Sequence, residues 1–453
     1  MDDAARPILF VSLPEAGPLN PLLVLASELS RRGAGDLWFA TDEPRRREVE
    51  ATSATFASLG EVVPELSAVT WGDEVYRGVT QASRFRAHRA VVRQSYKPAL
   101  ALAKYRQLEA VVDKVNPALM VIDCETRFAT TLAIVRRIPY VLSVPFVLSG
   151  ALTAYTPFGR SYVPRRFPTP HSGLPYDMNF AQRMSNRLFR LRCLAMFFGP
   201  ALAKTVAEDA AICKAFGLPR TSQMLRVDMA ERILCYSIPE LDYPLRVPDK
   251  VRLVGAMVPP LPQAGNDELT GWLDARSSVV YIGLGTITRL TRAEVSAVVE
   301  VARRLAGAHH VLWKLPAEQQ HWLPPREALP GNLRVESWVP SQMDVLAHPN
   351  VTAFVTHGGG NGFHEGLYFG KPLVVRPLWV DCYDQAVRGD SLGVSLTLDH
   401  PRTVDPDDMT DKLTRVLDDP LFRKRAEAFG ALQRAAGGRE AAADLVLGLS
   451  ALA

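Results

Sequence analysis

The chain has 453 residues, of which 47% are apolar and 22% are charged, and its formal net charge is +4 at pH 7. This length suggests two domains of ordinary size or three small ones, and the composition is that of a globular protein. No window approaches the roughly 20 apolar residues that a membrane-spanning helix needs. The sequence has no Lys/Arg block and no aromatic RNA-binding motif, which argues against nucleic acid as a partner.

The cysteines indicate a reducing compartment. They are odd in number, widely spaced and without a Cys-x-x-Cys pair: Cys124, Cys193, Cys213, Cys235 and Cys382. This pattern argues against a disulfide framework and against a zinc site. The amino terminus carries acids ahead of a short apolar run, which is not typical of a signal peptide. We therefore expect a cytoplasmic protein.

The start of the chain predicts a β-α-β unit. Residues 8–13 form a buried strand, and apolar residues at helical spacing between 22 and 29 predict a helix. We expect Asn20 to cap this helix, with Pro21 at its first position. Residues 37–41 form the second strand. The pattern favours a parallel sheet, in which ligands lie beyond the carboxyl ends of the strands, and the loop 14–18 occupies that place.

Two further residues in the first half are candidates for a functional role. Residues 118–122 predict another buried strand, and Asp123 follows it at the carboxyl edge of the sheet. Asp123 either faces a ligand or caps the helix predicted over residues 125–135. His88 lies in a basic helical segment, and we interpret it as a surface histidine, with ligand contact as the alternative.

The middle of the chain is less regular. Residues 150–190 are rich in Pro, Ser, Tyr and Arg and predict a long loop. Residues 188–202 predict a notably apolar amphipathic helix. That helix packs on the core, forms one wall of an apolar pocket, or makes a peripheral membrane contact. The prolines between 239 and 267 predict an interdomain linker.

The second half restarts the β-α alternation. Residues 278–282, 311–314 and 333–336 predict strands, and a turn with Gly283, Gly285 and Thr286 follows the first of them. Thr291 and Glu294 form a capping box for a helix that runs to Leu305. Residues 405–407 read Asp-Pro-Asp, which resembles a metal-binding motif, but the proline and the helical pattern after it favour an N-cap.

A glycine-rich segment follows a buried strand over residues 351–356. It reads His357-Gly-Gly-Gly-Asn-Gly362, and a helix should begin near Asn361. Glycines let the backbone approach a ligand closely, and the first turn of a helix offers N–H groups and a favourable dipole to an anion. A second buried strand over residues 373–377 leads to Asp381. This is the arrangement of an anion site that also holds hydroxyl groups.

The segment from Trp338 to Gln385 resembles the donor-binding signature of family 1 glycosyltransferases, the UDP-dependent enzymes of the GT-B fold. That signature runs from a Trp through His-x-Gly-x-Asn-Ser and a Glu to an Asp-Gln pair, and the resemblance extends over nearly the whole chain. It implies an α/β protein with two Rossmann-like domains that face each other across a cleft. Residues 1–240 would bind the acceptor, 241–267 would link the domains, 268–430 would bind the nucleotide sugar, and the helix in 431–453 would cross back to the first domain.

The resemblance also implies a donor site, residue by residue. Trp338 stacks on uracil, Glu365 and Gln342 meet the ribose, and His357 with Thr286 binds the diphosphate. His357 would stabilise the charge that grows on the leaving group. Asp381 would hold the sugar. The complete donor site comprises Thr286, Trp338, Val339, Gln342, His357, Gly359, Asn361, Gly362, Glu365, Asp381 and Cys382.

Three positions depart from the family pattern. Gly362 replaces a Ser that contacts phosphate, and Cys382 replaces the Gln that reads the sugar. The largest departure is Pro18, which stands where the family has the His that deprotonates the acceptor. The family's His has an Asp partner, and Asp123 matches that partner. The Asp-Cys-Tyr-Asp pattern from Asp381, together with the missing His, is similar to a fungal branch of the family.

Without that His, the proton has three routes. Glu15 or Asp123 takes it, with Glu15 requiring burial to raise its pKa. Alternatively a water or a substrate group takes it, or the acceptor is itself acidic, such as a carboxylic acid or a phenol. We favour the carboxylates, and our catalytic candidates are Asp123, Glu15 and His357.

The function implied is inverting transfer of a sugar from a UDP-sugar to a hydroxyl or carboxyl of a small lipophilic acceptor, without a metal or other cofactor. The rival interpretation is a non-catalytic subunit that binds a nucleotide sugar, which Pro18 motivates. Another GT-B reaction, such as epimerisation of a nucleotide sugar, is a further alternative.

Overall fold

A computed structural model describes residues 7–153, 161–263 and 267–450. Residues 1–6, on which the signal-peptide prediction partly rests, lie outside these ranges. So do parts of the loop predicted over 150–190 and of the linker predicted over 239–267. The chain divides into two compact units, Met1–Met257 with Ala436–Ala453, and Val258–Ala435.

Among its described residues, the first unit has seven parallel strands in the order β3-β2-β1-β4-β5-β6-β7. They are β1 (Ile8–Val11), β2 (Leu37–Thr41), β3 (Thr55–Ser58), β4 (Leu119–Asp123), β5 (Tyr140–Val144), β6 (Arg232–Cys235) and β7 (Val251–Leu253). The strands β1, β4 and β5 are buried along their whole length. Continuous apolar runs of this kind are typical of parallel sheets that are covered by helices on both faces.

In the described part of the first unit, ten helices precede the second unit in the chain. They are α1 (Ala16–Arg31), α2 (Arg46–Glu50), α3 (Asp73–Val79), α4 (Arg84–Ser95), α5 (Pro98–Val115), α6 (Arg127–Arg136), α7 (Leu148–Ala151), α8 (Phe180–Phe198), α9 (Pro200–Ala215) and α10 (Gln223–Met229). The predicted cap at Asn20 is wrong, because α1 begins earlier and its N-cap position is Glu15. Pro18 fits the first turn, where the backbone needs no N–H donor, and Pro21 lies inside the helix.

The predicted helix over residues 188–202 is two helices. The break lies at Gly199, whose backbone is extended, and Pro200 begins α9. A proline disfavours the helical conformation in the residue before it, which explains the break. Helix α8 begins within the predicted loop, at a capping box formed by Asn179 and Gln182.

Within the residues that the structure describes, the second unit contains six parallel strands in the order β10-β9-β8-β11-β12-β13. They are β8 (Val279–Gly283), β9 (His310–Lys314), β10 (Leu333–Glu336), β11 (Val351–Thr356), β12 (Leu373–Val375) and β13 (Ser395–Thr397). The chain leaves β8 in one direction for β9 and β10, and then returns to its other side for β11. This reversal is the switch point at which open parallel sheets bind ligands.

Seven helices cover this second sheet in the described part of the unit. They are α11 (Asp267–Asp274), α12 (Arg292–Arg304), α13 (Gln342–Ala347), α14 (Gly360–Tyr368), α15 (Cys382–Leu392), α16 (Pro406–Asp418) and α17 (Pro420–Ala435). The predicted capping box of Thr291 and Glu294 is confirmed at the start of α12. Asp405 caps α16 by accepting a hydrogen bond from the N–H of Asp407, as predicted.

The last helix, α18 (Gly438–Ser450), belongs to the first unit. The chain breaks before it at Gly437 and Gly438, both of which have positive φ. Ala442, Ala443 and Val446 of α18 are buried in the same apolar cluster as the leucines of α1.

Candidate functional site

The first candidate site lies at the switch point of the second unit. Strand β8 ends at Gly283 and strand β11 ends at Thr356, and these strands are neighbours. Their carboxyl ends therefore bring the turn that contains Thr286 next to the glycine-rich segment that begins at His357. Helix α14 begins at Gly360, close to the predicted start at Asn361.

Glycines surround the imidazole of His357. A Cβ atom on Gly285 would lie 2.6 Å from the His357 ring, and one on Gly359 would lie 2.4 Å from it. Gly285 also has a φ of +78°, which favours glycine by itself. The two loops thus approach the ring from two directions, and any larger residue at these positions would displace it.

His357 is neutral and has an unused hydrogen-bonding atom. Burial and, to a smaller extent, the nearby charge of Lys314 together lower the pKa of His357 to about 4. Its Nδ1 atom is buried and has no hydrogen-bond partner within the described residues. Buried polar atoms are normally paired, so this nitrogen is an atom that could accept a hydrogen bond from a ligand or donate one to it.

A chain of hydrogen bonds lies beside it. The Gln342 amide donates to Glu365 Oε2 at 2.6 Å, and the Tyr281 hydroxyl donates to Gln342 Oε1 at 3.2 Å. Ser341 caps α13, which begins at Gln342. Burial raises the pKa of Glu365 to about 7, while the Gln342 hydrogen bond and Lys314 oppose that rise.

Lys314 is a site residue that the sequence analysis missed. It is the last residue of β9, and its Nζ lies 4.8 Å from the centroid of the Trp338 ring. Burial lowers the pKa of Lys314, and Glu365 opposes this. Its position at the carboxyl end of a strand beside β8 was a signal that could have identified it. Trp338 is 63% exposed, whereas Val339 is buried.

The remaining residues of the predicted donor site differ in accessibility. Thr286 is exposed on its turn, and Asn361 is half-buried in the first turn of α14. A Cβ on Gly362 would lie 3.2 Å from Thr356 Oγ1, so this glycine lets α14 pack closely on β11.

Asp381 is the N-cap residue of α15 and is half-buried. Val380, just before it, has a φ of +34°, which is a strained conformation for a β-branched residue and is typical of functional loops. Cys382 is 1% exposed, and burial raises the pKa of its thiol well above the usual value. The neutral thiol therefore lies in the interior of the unit.

The second candidate site lies in the first unit, where β1 and β4 are neighbours. Asp123 is the last residue of β4 and is fully buried. Its Oδ1 accepts from the N–H of Glu125 at 2.9 Å, and its Oδ2 accepts from the N–H of Leu13 at 3.3 Å. The alternative interpretation of Asp123 as a helix cap is wrong, since the N-cap of α6 is Thr126.

Glu15 occupies the N-cap position of α1, but its side chain does not cap the helix. Instead, Oε1 accepts from the N–H of Ala68 at 3.2 Å. Oε2 is buried and has no hydrogen-bond partner within the described residues. Burial raises the pKa of Glu15, which hydrogen bonds from Ser67 and Ala68 only partly offset.

Asp123 is a buried carboxyl with a strongly raised pKa. Burial is the main reason why the pKa of Asp123 is raised to about 8, and the charges of Glu125 and, less strongly, Glu15 contribute to the rise. Near pH 7 Asp123 is therefore mostly a neutral acid. Glu15 and Asp123 thus both have raised pKa values at the carboxyl ends of neighbouring strands, whereas Pro18 carries no titratable group.

The pKa of Asp123 makes the folded state less stable as the pH rises. Between the ordinary carboxyl pKa and about 8, the folded chain holds a proton that the unfolded chain releases. The free energy of unfolding should therefore fall with pH, by up to about 1.4 kcal/mol per pH unit from this group. Urea unfolding between pH 5 and pH 8 measures this slope. Asp123→Asn should reduce the slope, and an identical slope in that variant would contradict the assignment.

The interpretation of His88 as a surface histidine is wrong. His88 is 8% exposed and stacks on His171, with ring centroids 5.0 Å apart. Burial lowers the pKa of His88 to about 3, with a further contribution from His171. A stacked pair of imidazoles therefore lies between α4 and the segment before α8.

Three further observations concern the described residues as a group. All five cysteines are free thiols. No set of three or more His, Cys, Asp or Glu side chains there is placed to hold a metal ion. None of the helices in the ranges that the structure describes is long and apolar enough to span a bilayer.

The chain has two Rossmann-like units, each with a parallel sheet. In the second unit, His357 lies between Gly285 and Gly359 at the switch point. These features are those of a protein of the GT-B class. Solved structures agree with this fold. The glycosyltransferase of kitacinnamycin has a TM-score of 0.73 at 23% identity, covering 98% of this chain and 99% of that chain. A UDP-glucose:anthocyanidin 3-O-glucosyltransferase in complex with UDP has a TM-score of 0.66 at 18% identity, covering 100% of both chains.

The family model described as UDP-glucoronosyl and UDP-glucosyl transferase matches residues 40–435, and the chain belongs to this family. UDP-glucuronosyltransferase 2B15 of Rattus norvegicus is 29% identical over 299 residues, which is 64% of this chain and 52% of that protein. UDP-glucosyltransferase 2 of Dactylopius coccus is 29% identical over 277 residues, or 60% and 51% of the two chains. The chain thus spans about half the length of the curated relatives it matches.

Proposed function

We propose that this protein transfers a sugar from a UDP-sugar to a hydroxyl or carboxyl group of a small, lipophilic acceptor, with inversion at the anomeric carbon. The observation that carries the proposal is the His357 imidazole, neutral and held between glycines, with the Glu365–Gln342 pair beside it. Two of the relatives are named as a UDP-glucuronosyltransferase and a UDP-glucosyltransferase.

The donor's nucleoside would bind through the residues at the switch point. Trp338 is exposed and offers a face on which uracil stacks, with Lys314 on the ring. The ribose hydroxyls donate to Glu365 and exchange hydrogen bonds with Gln342. A carboxylate is suited to this because it accepts two hydroxyl protons at once.

The diphosphate would lie against the first turn of α14. The N–H groups at Asn361 and Gly362, the Thr286 hydroxyl and the helix dipole all favour negative charge there. The neutral His357 donates its ring N–H to an oxygen of the leaving phosphate. That hydrogen bond strengthens as the bond to the sugar breaks, so it stabilises the transition state more than the bound substrate. Asp381 accepts from sugar hydroxyls.

Glu15 is the group to which we assign the acceptor's proton. The acceptor oxygen attacks the anomeric carbon, the bond from that carbon to the phosphate oxygen breaks, and its electron pair leaves with UDP. The acceptor's proton passes to Glu15, whose Oε2 is unused and whose pKa is raised, both of which favour a general base. Asp123 is a positioning residue, since its carboxyl holds the loop at Leu13 that leads to Glu15.

The direct test is incubation of the protein with UDP-glucose, UDP-glucuronate and other UDP-sugars and a panel of lipophilic phenols, alcohols and carboxylic acids. We expect released UDP and β-linked glycosides, at a rate that EDTA leaves unchanged. Binding of UDP with no product on a broad panel would contradict the proposal and favour a non-catalytic binding subunit.

Glu365 gives the donor site a pH dependence that uridine can reveal, because uridine carries no phosphate to titrate. A ribose that donates to Glu365 binds the ionised form. With a pKa of about 7 in the empty site, uridine should bind about tenfold more weakly at pH 6 than at pH 8. Calorimetric titration measures both affinities.

Glu365→Gln should bind uridine more weakly and with no change between the two pH values. The matched control is Glu327→Gln, an exposed glutamate of the same unit, which should keep the wild-type dependence. If the affinity for uridine still depends on pH in Glu365→Gln, the assignment of the ribose to this carboxylate is wrong.

A further inference from the structure

Helix α8 has two apolar faces on opposite sides. Asn186, Phe189, Cys193 and Met196 recur at intervals of three and four residues and are buried. The opposite face carries a second set at helical spacing, which we call the outer stripe: Phe180, Met184, Leu188, Leu191 and Phe198. These five side chains fall within an arc of about 80° on an ideal helix.

The outer stripe is exposed along the whole helix. Its members are 79%, 46%, 48%, 61% and 70% exposed in chain order. They are five of the fourteen large apolar side chains that are exposed among the described residues. The stripe is about 27 Å long, and it has an aromatic ring at each end. Continuous exposed apolar surfaces of this size mark interaction sites, whereas single exposed residues do not.

Positive charge borders the stripe on both sides. Arg187 and Arg183 flank one edge and Arg192 flanks the other, and all three are exposed. Residues 161–207 contain seven Lys and Arg residues and a single acid, Asp177. This segment is therefore more positive than the whole chain, whose net charge is +4.

We propose that α8 binds flat on the surface of an anionic lipid bilayer. The outer stripe enters the boundary between headgroups and acyl chains, and the flanking arginines contact lipid phosphates, as in other amphipathic helices that lie in the plane of a membrane. The inner face holds the helix on the protein, where the Asn186 side chain accepts from Thr169 and donates to Phe167.

The positive charge beside the outer stripe favours an anionic bilayer over a second copy of the chain as the partner of α8. A twofold dimer through α8 would place the same arginines opposite each other, since such an interface pairs a surface with itself. Segment 161–207 offers only Asp177 to balance them, and like charges brought together cost free energy. An anionic surface neutralises these charges instead, and this inference does not depend on sugar transfer.

The test is co-sedimentation of the full chain with phosphatidylcholine vesicles that contain or lack phosphatidylglycerol. We expect binding to the anionic vesicles that weakens as salt is added, and little binding to the neutral ones. Leu191→Glu should lower the vesicle partition coefficient by at least about tenfold, because the stripe loses apolar area and gains a negative charge.

Leu421→Glu is the matched control, since Leu421 is a leucine of the second unit that is 51% exposed on α17. It should bind vesicles like the wild type, and circular dichroism confirms that each variant is folded. Equal loss in both variants, or failure of the wild type to bind anionic vesicles, would overturn the inference. A dimer seen by light scattering that only Leu191→Glu dissolves, without vesicle binding, would assign the stripe to a second copy.

Discussion

Glu15→Gln should lower kcat for sugar transfer to an alcohol by about 100-fold to 10,000-fold, the range that general-base catalysis contributes. The substitution keeps the size of the side chain and the acceptor for the Ala68 N–H, but it removes the group that takes the proton. Initial rates of UDP release at saturating UDP-sugar measure the effect. The loss should be small for an acceptor that is already ionised, such as a carboxylate.

The pH profile separates a base from a structural residue. The rate of the wild type should fall as the pH drops through the raised pKa of Glu15, because the carboxylate becomes protonated. Asp123→Asn should slow transfer by disturbing the Leu13 loop, yet it should keep the fall in rate at low pH, because that fall belongs to Glu15. A Glu15→Gln enzyme with the wild-type rate and profile would exclude Glu15 as the base.

His357→Ala should lower kcat by about 100-fold to 1,000-fold, comparable to the loss of one donor that stabilises a developing charge. The imidazole is the group whose Nδ1 is buried and unpaired at the switch point, and Gly285 and Gly359 are shaped around it. Because the pKa of His357 is about 4, its imidazole stays neutral between pH 6 and pH 8. The contribution of His357 to kcat should therefore not change over that range.

His400→Ala is the control for this prediction, since His400 is an exposed histidine of the same unit. That variant should retain the wild-type kcat and thermal stability. If His357→Ala is folded, binds UDP as the wild type does and transfers sugar at an unchanged rate, the role assigned to His357 is wrong.

The fold class was predictable because its signals are local. Apolar runs without alternation predict buried parallel strands, and the predicted α/β fold with two Rossmann-like domains is confirmed by both sheets and by the structural neighbours. The errors in the predicted helix boundaries lie at prolines, because a proline can either begin a helix or lie within its first turns. Pro21 was expected to begin α1 but lies within it, and Pro200 was expected inside a helix but begins one.

The donor segment was predictable because it is contiguous. Strand, glycine turn and helix follow one another over residues 351–368, so motif and spacing were sufficient to identify the family, and the family match confirms it. Lys314 was not predicted as a site residue because it lies at the end of β9, outside this contiguous segment. Nothing near it in the sequence indicates that its ammonium group lies on the ring of Trp338.

The chemistry of the carboxyls required the structure. Sequence alone left Asp123 as either a helix cap or a ligand contact, and it assigned Glu15 no partner. Burial and the neighbouring N–H groups decide both questions, and these come from residues far away in the chain, such as Leu13 for Asp123 and Ala68 for Glu15.

By itself, then, the sequence determined the family, the two parallel sheets and the glycine turn with His357, since periodicity and contiguous motifs are written in neighbouring residues. Only the tertiary structure decided which side chains share a site and which protons they hold. Parallel strands that are distant in the chain end at one edge of a sheet, and the pKa of a carboxyl there depends on how much water the fold excludes from it.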